Sequence, residues 1–241
     1  MKTVMSIGAH PDDIEIGCAG TEILLREQGY RLIHVIATNG EEGSLEIPPE
    51  ELSKRRQQEA IRSAEVLGAD SVEFLNLPDG LTDFDKAAKI NLIKLIRKYK
   101  PEIVFTHSSS DHFPDHAVVH KLTQAALGAA KGPWYSGAAG SPHSVEKVFG
   151  YEVWHPLNQH QMSINISSVM DKKIQALKEH YSQVDGVNYL AAVEGLAKYR
   201  GAMTMTGEFA EVFEILQITS VLTNVAEVSS NNDRTAQIQV S

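Results

Sequence analysis

The chain reads as a doubly wound α/β protein: a Rossmann-like, mainly parallel sheet with helices on both faces and a C-terminal β/α extension. Three observations lead there. Short, β-branched apolar runs alternate with longer stretches of helical periodicity along the first 130 residues. Glycine or proline punctuates the changes, as at Gly29, Pro48, Gly68 and Pro101. The resulting β-α-β-α-β-α-β order favours a parallel sheet with right-handed crossovers.

The elements follow in turn. Thr3 to Ile7 has the length and β-branched content of a buried parallel strand. Gly17 to Gly29 reads as the first helix, with Ile23, Leu24 and Leu25 apolar. Arg31 to Thr38 is a second strand, followed by the polar loop Asn39 to Ser44. Pro48 and Pro49 open a charged helix that runs to Leu67 and stops at Gly68. Ser71 to Leu75 is the third strand and Asn76 to Gly80 a turn. Thr82 or Asp83 is the expected cap of a helix carrying Ile90, Ile93 and Ile96, ended by Pro101. Ile103 to Phe105 is the fourth strand, and a helix follows from about His116 to Ala130.

Lys131 to Ser144 is rich in Gly, Ala, Ser and Pro and is expected to be a surface loop, with Trp134 and Tyr135 as a lid over a sugar. Strands at Val148 to Trp154, Met162 to Ile166 and Phe209 to Thr219 surround helices at Val169 to Tyr181 and Tyr189 to Arg200. A single domain is expected, with its core to about residue 130, the extension over about 145–225 and a polar tail over about 226–241.

Composition narrows the function. The formal net charge of −9 argues against a nucleic-acid partner held through phosphates. No apolar stretch is long enough to span a membrane, and Met1-Lys2-Thr3 enters a strand rather than a signal peptide. One cysteine, Cys18, excludes an intrachain disulfide and fits the cytoplasm, where a small packed thiol is its expected role.

Chemistry concentrates in two loops. Ala9-His10-Pro11-Asp12-Asp13-Ile14-Glu15 follows the first strand, and His107 to His116 follows the fourth. With strand order 3-2-1-4-5 those loops share the crevice at the switch point. His10, Asp13 and His116 supply two imidazoles and a carboxylate, the donor set of a catalytic zinc with an open position. The same donors also describe a non-haem iron oxygenase, against which the Rossmann-like placement counts. Asp12 is then free to serve as general base, with a helix N-cap as the alternative role. Arg55 and Arg56 point about 100° apart on their helix, so one at most faces the crevice, and Arg56 is chosen. Asp79 is read as a turn residue rather than a sugar contact, and His107, His143, His160 and His180 as ordinary histidines.

The first motif, together with Phe113-Pro114-Asp115-His116, resembles the PIG-L/LmbE family of zinc-dependent N-deacetylases. The helix from Arg56 to Gly68, Tyr151-Glu152-Val153-Trp154 and Asp171-Lys172-Lys173-Ile174 extend the resemblance over most of the chain. It implies a Rossmann-like fold, zinc held by His10, Asp13 and His116, Asp12 as base, Arg56 on substrate polar groups, and a homo-oligomer. The implied reaction removes an N-acetyl group from an N-acetylglucosamine-type sugar, a small-molecule substrate. An amidase of thiol–sugar conjugates is the alternative.

The chain departs from the family at Phe113, where many of these deacetylases carry a histidine that stabilises the oxyanion or protonates the leaving amine. Three explanations are open: zinc suffices, a histidine from elsewhere substitutes, or the protein binds zinc and sugar without rapid turnover. His155 is the chosen substitute and His112, displaced by one residue, a second candidate on the substrate side. Asp115, expected to orient the missing histidine, is left without its partner.

Overall fold

The computed structural model describes residues 1–80, 83–135 and 137–219. β1 (Thr3–Gly8), β2 (Arg31–Thr38), β3 (Ser71–Leu77), β4 (Ile103–His107) and β5 (Lys147–Tyr151) pair in parallel. β6 (Met162–Asn165) and β7 (Ala210–Ile218) are antiparallel to one another, and β7 is antiparallel to β5. The sheet runs β3-β2-β1-β4-β5-β7-β6, so β1 and β4 are neighbours and both loaded loops leave the same edge.

Alternation along the central strands explains why both faces are covered. Val4, Leu32, Phe105 and Phe149 point to one side, against α1 (Asp13–Gly17), α2 (Ala19–Glu27), α3 (Pro49–Leu67), α6 (Met170–Lys178) and α8 (Tyr189–Thr204). Their chain neighbours Met5, Ile33, Val104 and Val148 point to the other, against α4 (Lys86–Tyr99) and α5 (Pro114–Ala130). A short α7 (Tyr181–Val184) precedes α8. No helix among the described residues is long and apolar enough to cross a membrane.

Several boundaries differ from expectation for local reasons. The first helix begins at Asp13, not Gly17, because Pro11 and Asp12 already turn the chain, and it breaks at Cys18 (φ −145°) before resuming as α2. The cap of α4 is Asp85, whose carboxylate accepts the Ala88 N–H at 2.7 Å; Asp83 lies before it and Thr82 is outside the described residues. α5 starts at Pro114, where the missing N–H costs nothing. The loop after α5 is pinned by the buried Arg97, which donates to the carbonyls of Gly132, Trp134 and Ala138. Trp134 and Tyr135 line a hollow against α4 with Lys86 and Ile90, so they are not a lid on the crevice. The expected polar tail lies outside the described residues.

One ion pair fixes where α1 sits. Cys18, at the N-cap of α2, has no oxygen to offer the first helical N–H groups. Glu211 of β7 supplies it from across the sheet, accepting from the N–H groups of Gly20 and Thr21 at 2.8 Å each. Lys173 of α6 reaches Glu211 at 2.6 Å and the Ile16 carbonyl at 2.8 Å, and both charges are buried. Glu211→Ala therefore leaves a buried ammonium and two unpaired amides, and is expected to cost about 3–5 kcal/mol in urea unfolding. Combining Lys173→Met with Glu211→Gln is expected to recover most of that loss.

Candidate metal centre and cleft

The site starts where β1 ends. Pro11 stiffens the turn, Asp12 stands at the N-cap of α1 and Asp13 is its first residue. Asp13 is fully buried, and its Oδ2 accepts the His10 backbone N–H at 2.7 Å. His10, His107 and His116 approach the carboxylate to 3.5, 3.2 and 3.4 Å respectively. Burial pushes its pKa upward, but His116, His107 and His10 outweigh that and hold it well below the usual carboxylate range.

The partner of each imidazole assigns its tautomer. His116 Nδ1 donates to Asp111 Oδ2 at 2.8 Å, leaving the lone pair on Nε2. His10 Nε2 lies 2.9 Å from Asp115 Oδ2 and 3.2 Å from Asp79 Oδ1, leaving the lone pair on Nδ1. His116 Nε2 and Asp13 Oδ1 then face one another at 3.4 Å, both buried and neither with a hydrogen-bond partner. His10 Nδ1 faces Asp13 Oδ2 at 3.5 Å. Converging acceptors with no donor between them are stable only around a proton or a cation.

Protonation is one answer. Burial opposes it at His116, yet Asp13 and Asp111 raise that pKa to about 9. At His10 burial is outweighed by hydrogen bonds to Asp115 and Asp13, and the ring titrates well above the ordinary imidazole range. A divalent ion answers the same demand with more charge. One ligand atom each from His10, Asp13 and His116 can lie within 4.8 Å of one another. Two imidazoles and a carboxylate suit a borderline metal, and the second nitrogen of each imidazole is held by a carboxylate, as metal-ligating histidines require. The residues fit the metal.

His107, read from the sequence as an ordinary histidine, is fully buried behind this cluster. It accepts the Ala9 N–H at 3.0 Å and stacks on His116 with centroids 4.0 Å apart. Burial and His116 push its pKa down to about 4, so it stays neutral and serves as packing behind Asp13. His180 is also buried, and its partner is Glu15 at 3.5 Å, the acidic residue two positions after Asp13.

A cleft of about 410 Å³ opens over the cluster. Asp12, Glu42, Arg56, Asp79 and Asp115 give it polar walls, and Phe113, Trp154 and Tyr189 an apolar one. Arg56 is buried and donates to Asp12 Oδ1 at 3.1 Å and to the Gly40 carbonyl at 3.0 Å. Gly40 has φ +64°, and a Cβ there would collide with the guanidinium, so only glycine lets Arg56 pass. Arg55 points outward to Glu51.

The second motif differs from expectation in its pairing. Asp115 is not stranded by Phe113; it holds His10 and accepts the Gly80 N–H at 3.1 Å. Asp79 makes its turn and also reaches His10, so it belongs to the site. Phe113 packs its ring 4.8 Å from that of His116 and 5.8 Å from that of His10. His155 lies outside the cleft lining, 43% exposed, with Nδ1 at 2.9 Å from Asp111 Oδ1. His112 stacks edge-on against His155 at 5.5 Å and does not line the cleft.

Asp111 is the residue sequence reasoning passed over: one oxygen holds His116 and the other His155. The available signal was that every ligating histidine needs a second partner, and Asp111 is the acid nearest His116 in the loop apart from Asp115. Asp111→Ala is expected to weaken binding of a divalent metal about 10–100-fold, measured by competition with a chromogenic chelator. Unchanged affinity would mean that His116 does not bind through Nε2.

A model of the PIG-L family, described as GlcNAc-PI de-N-acetylase, matches residues 5–127, from β1 through most of α5. The chain is 32% identical over 192 residues to the diacetylchitobiose deacetylase of Thermococcus kodakarensis, covering 76% of this chain and 70% of that one. It is 29% identical over 194 residues to the 4-oxalmesaconate hydratase of Pseudomonas putida, covering 73% and 72%. Among solved structures, a conserved protein of Thermus thermophilus superposes with a TM-score of 0.81 at 27% identity, over 91% of this chain and 96% of that one.

Proposed function

The chain belongs to the PIG-L family, and from that premise we propose that it is a zinc-dependent hydrolase that removes the N-acetyl group of an N-acetylglucosamine-type sugar in the cytoplasm. The observation that carries this reading is Asp12. It lies one residue from the ligand Asp13 yet faces the cleft, where Arg56 takes one of its oxygens and leaves the other for a reactant. His10, Asp13 and His116 would hold the zinc, which when bound supplies Lewis-acid polarisation of the amide carbonyl and acidifies water.

The chain's own groups complete the reaction. Asp12 takes the proton from the attacking water, with Arg56 fixing its orientation. Asp115 and Asp79 keep the His10 ring in place, and Asp111 does so for His116. The proton for the departing amine is assigned to His155, which stands beside the cleft rather than in its lining, next in sequence to the lining Trp154 and on the carboxylate that holds His116. Asp111 holds its Nδ1, so Nε2 is the nitrogen that donates, an arrangement shared with carboxylate-held catalytic histidines. Water and amide thus become acetate and a free amine, and Phe113 keeps the cleft side of the ligand cluster dry.

Charge separates this reading from hydration of a carboxylate-bearing substrate. Four carboxylates line the cleft, and the single guanidinium there is already paired with Asp12. Such walls repel a polyanion, whereas they suit a neutral amide that becomes a cationic amine. Acetate release from N-acetylglucosamine and diacetylchitobiose by zinc-loaded protein is the direct assay. Asp12→Asn is expected to lower kcat about 10²–10⁴-fold while bound zinc, measured by atomic absorption, stays at wild-type stoichiometry. Full activity in that variant would remove Asp12 from the mechanism. His155→Ala is expected to lower kcat with little change in KM, and wild-type turnover there would assign the amine's proton elsewhere.

A further inference from the structure

Beyond the catalytic cleft lies a second chamber of about 260 Å³ that nothing in the reaction uses. Its walls are Ile16 of α1, Val153 and Pro156 of the loop after β5, and Val193 and Leu196 of α8. It shares two residues with the cleft, Trp154 and Tyr189. Their rings are 5.0 Å apart and inclined at 48°, forming a partition between the two spaces. Asp12 borders the cleft and Ile16 the chamber, four residues along α1, which is a rise of about 6 Å. The chamber is one helical turn from the proposed base.

Its chemistry is one-sided. Apart from the tips of Trp154 and Tyr189, the lining side chains are hydrocarbon, so a sugar hydroxyl placed there would lose water without gaining a partner. The walls are also built to stay apart. Glu152 and Arg200 form a buried two-pronged pair at 2.9 and 2.6 Å. Glu152 accepts the Leu157 N–H and Arg200 donates to the Leu157 carbonyl, which ties the 153–156 loop to α8 on both flanks. Ile16, Val153 and Val193 are backed by the core cluster on that face of the sheet. A preformed apolar space that opens next to a polar reaction cleft is a specificity pocket in form.

We propose that this chamber receives an apolar aglycone, an aryl or alkyl group carried on the sugar, and that the preferred substrate is an N-acetylated amino-sugar glycoside rather than the free sugar. The inference rests on the deacetylase reading. The acyl methyl is bonded to the reacting carbon and stays beside Asp12 and the ligand cluster. The aromatic pair offers its face to the pyranose, and the chamber lies past that pair. The aglycone hangs from the anomeric carbon, one bond from the carbon that bears the amide, so it is the substituent close enough to pass the aromatic pair while the amide stays at Asp12. Covering a phenyl or short alkyl group there removes enough apolar surface from water to favour the glycoside about tenfold or more in kcat/KM.

The test compares N-acetylglucosamine, its phenyl and octyl β-glycosides, and N-octanoylglucosamine, using zinc-loaded wild-type protein and Ala192→Phe, which fills the chamber from an exposed α8 position. Leu196→Trp serves as a second filling variant. The expected result is a glycoside-to-free-sugar ratio of about ten or more in the wild type, falling to within about twofold in either variant. Equal efficiencies for glycoside and free sugar, or a ratio unmoved by both variants, overturn the proposal. A preference for N-octanoylglucosamine alone overturns it in favour of an acyl-chain pocket. Failure to hydrolyse any of the four substrates would instead count against the deacetylase reading. The chamber is then tested by tryptophan fluorescence titration with phenyl β-glucosaminide. Tighter binding than glucosamine in the wild type, lost in the variants, sustains the aglycone site, and equal binding overturns it.

Discussion

The burial of the Asp13 carboxylate is the constraint on which the rest of the structure depends. A charge in that position, out of contact with water, is tolerable only with compensation from every side. Two strands deliver it: β1 carries the turn that brings His10 back over Asp13, and β4 leads to His116 in the first turn of α5, with the neutral His107 packed behind the carboxylate. Neither strand could be moved without exposing or stranding the charge. That ties the most central pairing of the sheet, β1 beside β4, to the most reactive point of the molecule. The site is therefore a property of the sheet's topology and not of a loop added to it.

Compensation then spreads outward in layers of carboxylates. His10 and His116 turn one nitrogen toward Asp13 and need an acceptor for the other. Asp115 and Asp79 meet His10, and Asp111 meets His116. Each of these acids is anchored in turn by backbone N–H groups, at Gly80, Glu42 and Phe113. The same loops that look polar and featureless in sequence are thus held by the site they serve. Even Gly40 belongs to this arrangement, because Arg56 must lie against its backbone to reach Asp12.

Much of the architecture was legible because period and punctuation agree along the first 130 residues. The strand order expected is the common one for such alternation, and the sheet has it, with the shared crevice that follows. Helix geometry allowed one arginine at most to face that crevice, the family resemblance pointed to Arg56, and Arg56 lines it while Arg55 points outward. What was illegible has a common cause. The role of Asp79, the partner of Asp115 and the bridging of His116 and His155 by Asp111 depend on which of two carboxylate oxygens faces which ring. Sequence spacing carries no such information across three different loops. Trp134 and Tyr135 were misplaced for a related reason: the loop that carries them is held by Arg97, which belongs to a different helix, α4, and fixes where it lies.

Phe113 shows how one replacement is absorbed by such a network. With a histidine at this position Asp115 would have a ring on either side to hold; with phenylalanine its oxygen is committed to His10. The cleft gains an apolar wall against both imidazoles, which lowers the local dielectric around the ligand cluster and strengthens every charge interaction in it. Asp111 has one oxygen to spare after binding His116, and His155 sits on it. A histidine of the buried cluster and one at the surface thus share a single carboxylate.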